Sequence, residues 1–263
     1  MPRTLPRQKL ERSPLVFALA QVRFSTVLKM PDYVPAVQER LRKMGFPRFG
    51  QHETRELILG PKPEMWSSQR WTFTTKDERE GVVLANSFLV LQTTKYDVFE
   101  DFVTRLESAA AVVRDECDVD LIERIGLRYI DVIGPSQDAP SAQFLSVGLR
   151  GLSHEDLEAK SVRLRSEQVA ETAIGRLVVR VIQTTDGTFL PPDLDPLSLR
   201  FGVQFPSDQK LSILDIDHYS EAGRDFESEA LTESMWKLHD HCDKAFRRAV
   251  TPEALEHWGA TQR

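Results

Sequence analysis

The sequence is poor in cysteine, with Cys117 and Cys242 the only two thiols in 263 residues. Two thiols are too few for a disulfide framework or for a zinc site with four thiolate ligands. Both follow apolar patterns of helical spacing and are predicted to be buried free thiols. The chain also lacks a glycine-rich phosphate loop, an HExxH helix and a GxSxG nucleophile elbow. No cofactor is therefore expected.

Long hydrophobic runs and an excess of basic residues are missing too. No stretch reaches the ~18 apolar residues of a membrane span, and residues 1–13 are basic but lack the apolar segment of a signal peptide. Lys and Arg total 34 against 40 Asp and Glu, which gives a formal charge of -6. Nucleic acid is an unlikely partner on this ground, because phosphate neutralisation needs a basic face. We expect a cytoplasmic protein with no membrane partner, and the oligomeric state stays open.

Two passages of the chain follow the same order of strands and helices. The first passage predicts a strand, a helix capped by Asp32 and stopped by Gly45, and four short strands. A long helix then starts at a capping box formed by Asp97 and Glu100. The strands are predicted at Pro14–Phe24, Thr54–Gly60, Gln69–Lys76, Gly81–Asn86 and Phe88–Thr94.

The second passage predicts a strand at Leu121–Ile133, a short helix near Phe144–Leu149 and four further strands. A long helix follows from about Asp225 to Val250. Thr251 and Pro252 then start a last short helix. The four further strands are predicted at Ser161–Gln168, Gly175–Thr185, Ser198–Phe205 and Lys210–Tyr219.

Short residue matches support a repeat. Val22-Arg23-Phe24 corresponds to Leu127-Arg128-Tyr129, and Leu89–Tyr96 corresponds to Ser212–Tyr219. The predicted fold class is α+β, with two pseudo-repeated β-α-β4-α units whose antiparallel sheets each pack a long helix. We expect a flexible basic leader at 1–13 and units at 14–118 and 119–263. This order resembles the TATA-binding-protein and helix-grip folds, which implies a concave surface or cavity between sheet and helix.

Several motifs resemble an uncharacterised, sporadically distributed family of bacterial proteins of about this length. GLRYID, at 126–131, is the most specific motif, and the likeness covers most of the chain. The resemblance implies no catalytic residues, and its patchy distribution is typical of genes that travel with mobile elements and defence systems. The other matching residues are Ser13-Pro14-Leu15-Val16, Val22-Arg23-Phe24, Tyr96, Phe99, Phe102 and Leu214-Asp215-Ile216-Asp217.

Arg23 and Arg128 form the main candidate ligand site. Each precedes an aromatic residue in the otherwise apolar first strand of its unit. If the units pair through these strands, the two guanidinium groups approach a pseudo-twofold axis and could clamp a carboxylate or a phosphate. The alternative is a structural ion pair of Arg128 with Asp131 or a helix carboxylate, because a buried arginine is nearly always paired.

Asp215 and Asp217 are a candidate metal site, because residues two apart on a strand share a face and carboxylates bind Mg²⁺ or Mn²⁺. The favoured alternative is a solvent-facing or edge-protecting pair, since no further oxygen ligand is identifiable. Trp66, in a predicted loop, is a candidate ligand contact beside Arg70. Trp71 shares a strand face with Phe73 and is predicted to pack in the core.

The function predicted from these features is a non-enzymatic binding or interaction protein of a mobile-element or defence type. Its concave sheet surface would receive a protein partner or an anionic small molecule. The alternative is an enzyme or accessory factor that acts on nucleotides or nucleic acid and uses the arginine and aspartate pairs. Whether the protein catalyses a reaction is left open by the sequence.

Overall fold

The computed structural model describes residues 9–58, 64–134, 141–152, 156–159, 162–184, 187–194, 196, 199–206 and 209–261. For 54–58 and 64–68 it describes the backbone alone. Within these ranges, no helix is long and apolar enough to cross a membrane.

The first part of the chain, up to residue 117, contains six strands and two helices. They are β1 (Lys9–Leu10), β2 (Leu15–Phe24), α1 (Met30–Lys43), β3 (Arg48–Ile58), β4 (Glu64–Thr74), β5 (Glu80–Ala85), β6 (Phe88–Thr93) and α2 (Phe99–Cys117).

The second part contains six strands and two helices, with 3-10 turns at Ser141–Phe144 and Val147–Leu149. They are β7 (Leu121–Ile133), β8 (Arg165–Thr172), β9 (Gly175–Thr184), β10 (Leu211–Ser220), β11 (Arg224–Asp225), α3 (Ser228–Ala249), α4 (Pro252–His257) and β12 (Ala260–Thr261).

One large antiparallel sheet joins both parts, in the strand order β3-β4-β5-β6-β2-β7-β10-β9-β8. Strands β2 and β7 pair at its centre, with Arg23 opposite Arg124 and Leu19 opposite Arg128. The predicted α+β class with antiparallel pairing is confirmed, but the two predicted sheets are one continuous sheet. Lys9 and Leu10, in the predicted leader, pair instead with β12 in a separate two-stranded sheet.

Side-chain alternation gives the sheet two different faces. On the helix face, Ala18, Ala20 and Val22 of β2 lie with Ile125 and Leu127 of β7 in the main core. Helix α2 packs on β6 and on α1, and α3 packs on β7, β10 and α2. The apolar stripes of these helices are therefore removed from water. Burial of each large apolar side chain stabilises the folded state by roughly 1.5–3 kcal/mol. Both cysteines are buried and free, as predicted.

The opposite face, here called the open face, is partly covered by the segment between β9 and β10. Phe189 and Phe201 of this covering segment, whose described residues are 187–194, 196 and 199–206, pack with Phe17, Ile130 and Ile213 in a second apolar cluster. The predicted strand at 198–205 is therefore wrong, since 199–206 contains no strand. Its aromatic residues cover the sheet instead of pairing at its edge.

The observed helix ends agree only in part with the caps predicted from the sequence. Helix α2 begins at Phe99 without a side-chain cap, so the predicted capping box at Asp97 is wrong. Helix α1 begins at Met30, two residues before the predicted cap at Asp32. The predicted cap of α4 is confirmed, because the hydroxyl of Thr251 accepts a hydrogen bond from the Ala254 amide. Strand β7 has the predicted bounds.

Candidate functional site

A groove of about 340 Å³ lies on the open face where the covering segment ends. Its floor comes from alternate residues of β5, β6, β2 and β7, which point away from the helices. Leu19, Val83 and Val90 make the floor apolar, while Gln21 and Gln92 add amide groups. The groove thus offers apolar contact together with hydrogen-bonding groups.

Arg128 lies at one end of the groove, between two carboxylates. Its Nε and Nη2 donate to Asp215 Oδ1 and Oδ2 at 2.8 and 2.7 Å. Its Nη1 and Nη2 donate to Asp193 of the covering segment at 2.7 and 3.1 Å. Arg180 Nη1 adds a bond of 3.2 Å to Asp215 Oδ2. Arg128 is therefore held by the protein's own acids, and not by Asp131.

Burial and ion pairing shift the pKa of Arg128 in opposite directions. Burial alone would lower the pKa of Arg128, but the hydrogen bonds that Arg128 donates to Asp215 and Asp193 outweigh burial and hold the pKa above its ordinary value. The bond to Arg128 lowers the pKa of Asp193. The Asp215 side chain is fully buried, whereas that of Asp193 is 60% exposed. The inner pair thus fixes β7 to β10, and the outer pair fastens the covering segment over the sheet.

Arg23 lies on the same face but does not approach Arg128. It is exposed and stands opposite Arg124, whereas Arg128 stands opposite Leu19. Arg128 is four residues further along β7, so the strand register separates the two predicted partners. The arginines that this register brings together are Arg23 and Arg124.

Three arginines, here called the arginine row, align across the open face at the edge of the groove. Strand register links Arg70 to Ala85, Ala85 to Phe88, Phe88 to Arg23, and Arg23 to Arg124. Four strand spacings separate β4 from β7. At about 4.8 Å for each spacing, the row is roughly 19 Å long.

Within the described part of the chain, the ion pairing of the arginine row is limited to one long contact made by Arg124. Arg70 lies over the Phe88 ring, 5.9 Å from its centroid. Arg124 Nη1 donates to Gln21 Oε1 at 2.5 Å, and its guanidinium lies 4.3 Å from the ring centroid of Tyr219. Its ion-pair contact with the exposed Glu221 is 4.0 Å long. The row therefore presents positive charge that the described residues leave largely uncompensated.

Asp217, one of the two predicted metal ligands, lines the same groove. It shares the open face with Asp215, as strand alternation predicts. Burial raises the pKa of Asp217, against the opposing charges of Arg128 and Arg124. Asp215 is occupied by two arginines, and the described residues contain no group of three His, Cys, Asp or Glu that could hold a metal ion.

Trp66, the third predicted contact, lies in strand β4 and not in a loop, and its backbone pairs with Glu56. Its side chain lies outside the described residues. Trp71 and Phe73 are buried on the helix face, as predicted.

A small cavity of about 110 Å³ lies on the helix face, between the sheet and α3. Tyr129 Oη and His239 Nδ1 are 2.9 Å apart beside it, and Tyr96 Oη lies 3.4 Å from Tyr129 Oη. Asp131 also lines it, and burial together with the charge of Asp215 raises the pKa of Asp131 to about 8. The cavity therefore contains a neutral acid at ordinary pH.

Sequence reasoning missed Arg124, Asp193 and Arg180. One signal was present for Arg124, because Arg124, Gly126 and Arg128 alternate along β7 and must share a face. No local pattern marks Asp193, which reaches Arg128 only through the path of the covering segment.

Comparison of the chain with protein-family models and with curated proteins finds no match. The function must therefore be argued from the geometry of the site.

Proposed function

We propose that the protein is a non-enzymatic binding protein whose open sheet face receives an acidic segment of a partner protein. The observation that carries this proposal is the arginine row, Arg70, Arg23 and Arg124, which lies beside a groove of mixed polarity and whose ion pairing within the described chain is one long contact, from Arg124 to Glu221. The formal charge of the chain is -6, so the arginine row is a local positive patch on an acidic protein. Such a patch attracts and orients an acidic partner.

The length of the row favours an extended ligand over a single small anion. One phosphate or carboxylate cannot contact arginines at both ends of a row roughly 19 Å long. An extended peptide of about six residues covers that distance. The side-chain amide of Gln21 can bond its backbone, and Val90 and Leu19 can contact its aliphatic side-chain atoms.

The test uses a labelled peptide of about eight glutamates, with an oligolysine peptide of equal length as the charge control. We expect the oligoglutamate alone to bind, with an affinity that falls as the salt concentration rises, because salt screens exposed charges. Arg23→Gln should weaken binding by roughly 3- to 10-fold. Arg23 is exposed and its loss leaves the fold intact.

Arg248→Gln is the matched control, because Arg248 is exposed on α3, a helix of the opposite face. It removes the same charge and should leave the affinity unchanged. If Arg23→Gln and Arg248→Gln weakened oligoglutamate binding equally, only the net charge of the protein would control the affinity. That result would contradict a specific site.

A second candidate function, an enzyme or accessory factor for nucleotides or nucleic acid, is favoured by one observation. Asp217 is a half-buried acid with a raised pKa beside Arg128 and Arg124, which is a frequent arrangement at catalytic sites. A single-stranded oligonucleotide tests it. Cleavage or modification that is lost in Asp217→Asn would favour this function over the binding protein.

We also propose that the chain is a cytoplasmic, bacterial member of the family that its motifs resemble, formed by duplication of one TATA-binding-protein-like unit. The pairing of β2 with β7, flanked by β6 and β10 and followed by α2 and α3, supports this origin. The second unit departs from the pattern, because 3-10 turns stand where α1 stands in the first. Neighbouring genes of housekeeping metabolism, instead of mobile-element or defence genes, would contradict the proposed setting.

A further inference from the structure

A second cavity, of about 500 Å³, lies at the end of the sheet between the β8–β9 turn, β10 and α3. Its volume falls in the range of about 300–1,000 Å³ that is usual for small-molecule sites. Its wall includes the apolar side chains of Ile125, Ile174 and Leu238. It is a different surface from the groove, since α3 and the turn after β8 line it.

Arg224 is the central charged residue of this cavity. Its Nε donates to the Ala222 carbonyl at 3.2 Å, its Nη1 to Ser234 Oγ at 2.6 Å and its Nη2 to Ser220 Oγ at 3.0 Å. All three acceptors are neutral, and a guanidinium has five N–H groups. The side chain is therefore held in place, and its remaining N–H groups have no acceptor among the described residues.

The other charges around the cavity are already paired. Arg176 Nε lies 2.7 Å from Glu171 Oε1, and Lys237 Nζ lies 2.7 Å from Glu233 Oε1. Glu221, which also lines the cavity, is 71% exposed. Arg224 remains a half-buried cation without a carboxylate, and burial lowers its pKa below the ordinary value. An uncompensated charge of this kind costs stability unless an anion binds it.

The turn beside the cavity is rigid. Gly175 has a φ of 155°, and a Cβ placed there would lie 1.9 Å from the Tyr219 carbonyl oxygen. The close approach fixes the turn against the end of β10, the strand that carries Ser220. The donors of the cavity are thus preorganised, which reduces the entropy cost of binding.

We propose that this cavity binds the phosphoryl group of a small organic phosphate, with Arg224 as the main donor and Lys237, which would exchange its exposed ion pair with Glu233 for the ligand, as a second cation. A guanidinium fork matches two oxygens of a phosphate, and a lysine ammonium binds a third as a point charge. The apolar wall then contacts the organic part of the ligand. The arginine row does not line this cavity, although Arg124 contacts Tyr219 and Glu221 of its wall.

Calorimetric titration with ribose 5-phosphate, and with ribose as the uncharged control, tests the site. We expect one ribose 5-phosphate to bind for each chain and ribose not to bind. Arg224→Gln should weaken binding by about 10-fold or more, because it removes charge-assisted hydrogen bonds. Arg248→Gln and Arg23→Gln should bind as the wild type does.

If Arg224→Gln fails to fold, Lys237→Gln replaces it, because Lys237 is exposed and its loss spares the core. Lys237→Gln should weaken binding by roughly 3-fold or more. Wild-type protein that binds ribose 5-phosphate no better than ribose would overturn the proposal, as would folded Arg224→Gln with unchanged affinity. Loss of ribose 5-phosphate binding in Arg23→Gln would place the phosphate in the groove and also overturn the proposal.

Discussion

Arg128 cannot lose its charge on burial, so its environment must supply acceptors. Asp215 and Asp193 supply them, and they take the place that the sequence analysis gave to an external anion. On the same strand, the guanidinium of Arg124 contacts an amide and an aromatic ring instead. Two arginines four residues apart therefore differ in environment, because only Arg128 reaches Asp215 and Asp193.

Replacing Arg128 with methionine should lower the free energy of unfolding by roughly 3–5 kcal/mol, because Asp215 then stays buried with Arg180 as its only cation. Urea unfolding measures this change. The matched control is Arg23→Met, which changes an exposed arginine on the neighbouring strand and should stay within about 0.5 kcal/mol of wild type. Equal effects of the two variants would show that the buried network contributes nothing.

Asp131 should make stability depend on pH. The pKa of its carboxyl is raised from 3.8 to about 8 in the folded protein, so folding favours the neutral acid. The resulting stability is complete below the unfolded pKa and is lost as the pH rises towards 8. At pH 7, Asp131→Asn should therefore raise the free energy of unfolding by roughly 2–4 kcal/mol and flatten this dependence.

Urea unfolding at several pH values between 4 and 8, the window set by the two pKa values, checks this expectation. The control is Asp120→Asn, since Asp120 is exposed. A wild-type protein whose stability is constant across this window would contradict a neutral Asp131.

At the scale of elements, the turn between β8 and β9 depends on one glycine. Alanine at Gly175 would adopt a backbone conformation that side chains rarely allow and would collide with the Tyr219 carbonyl. We expect Gly175→Ala to destabilise the fold by more than about 2 kcal/mol. Gly148→Ala is the control, because nothing lies within 4 Å of a Cβ there. Thermal unfolding midpoints of both variants test this prediction. Equal midpoints would show that the turn accommodates a Cβ at Gly175 and would contradict the prediction.

Elements with a strong pattern could be predicted from the sequence, and those that depend on distant packing could not. The bounds of β7 follow from its many isoleucine, leucine and valine residues, and the stripe of α3 follows from its helical period. The spacing of Phe201 and Phe205 predicts a strand. The same apolar pattern fits either a strand at the sheet edge or a segment that packs on the face of the sheet, so the sequence cannot distinguish them. The prediction that the guanidinium groups of Arg23 and Arg128 approach each other is wrong, because the strand register depends on contacts that no single strand encodes.

At the scale of the whole molecule, the continuous sheet couples both parts of the chain. Strands β2 and β7 share a long antiparallel register, and α2 packs on α3 across the same boundary. We expect one cooperative unfolding transition, because neither part can lose its strands without exposing the core of the other. Far-UV circular dichroism and tryptophan fluorescence should give the same midpoint. Two separate transitions would indicate that 14–118 and 119–263 are independent domains.

The central claim is that the arginine row recognises an acidic segment, and a charge-reversal experiment tests it most directly. The variant Arg23→Glu/Arg70→Glu/Arg124→Glu reverses every charge of the row and leaves the Arg128 network in place. With its fold checked by circular dichroism, it should lose oligoglutamate binding and gain oligolysine binding, because complementary charge selects the partner. A folded variant that still binds oligoglutamate with wild-type affinity would contradict the account.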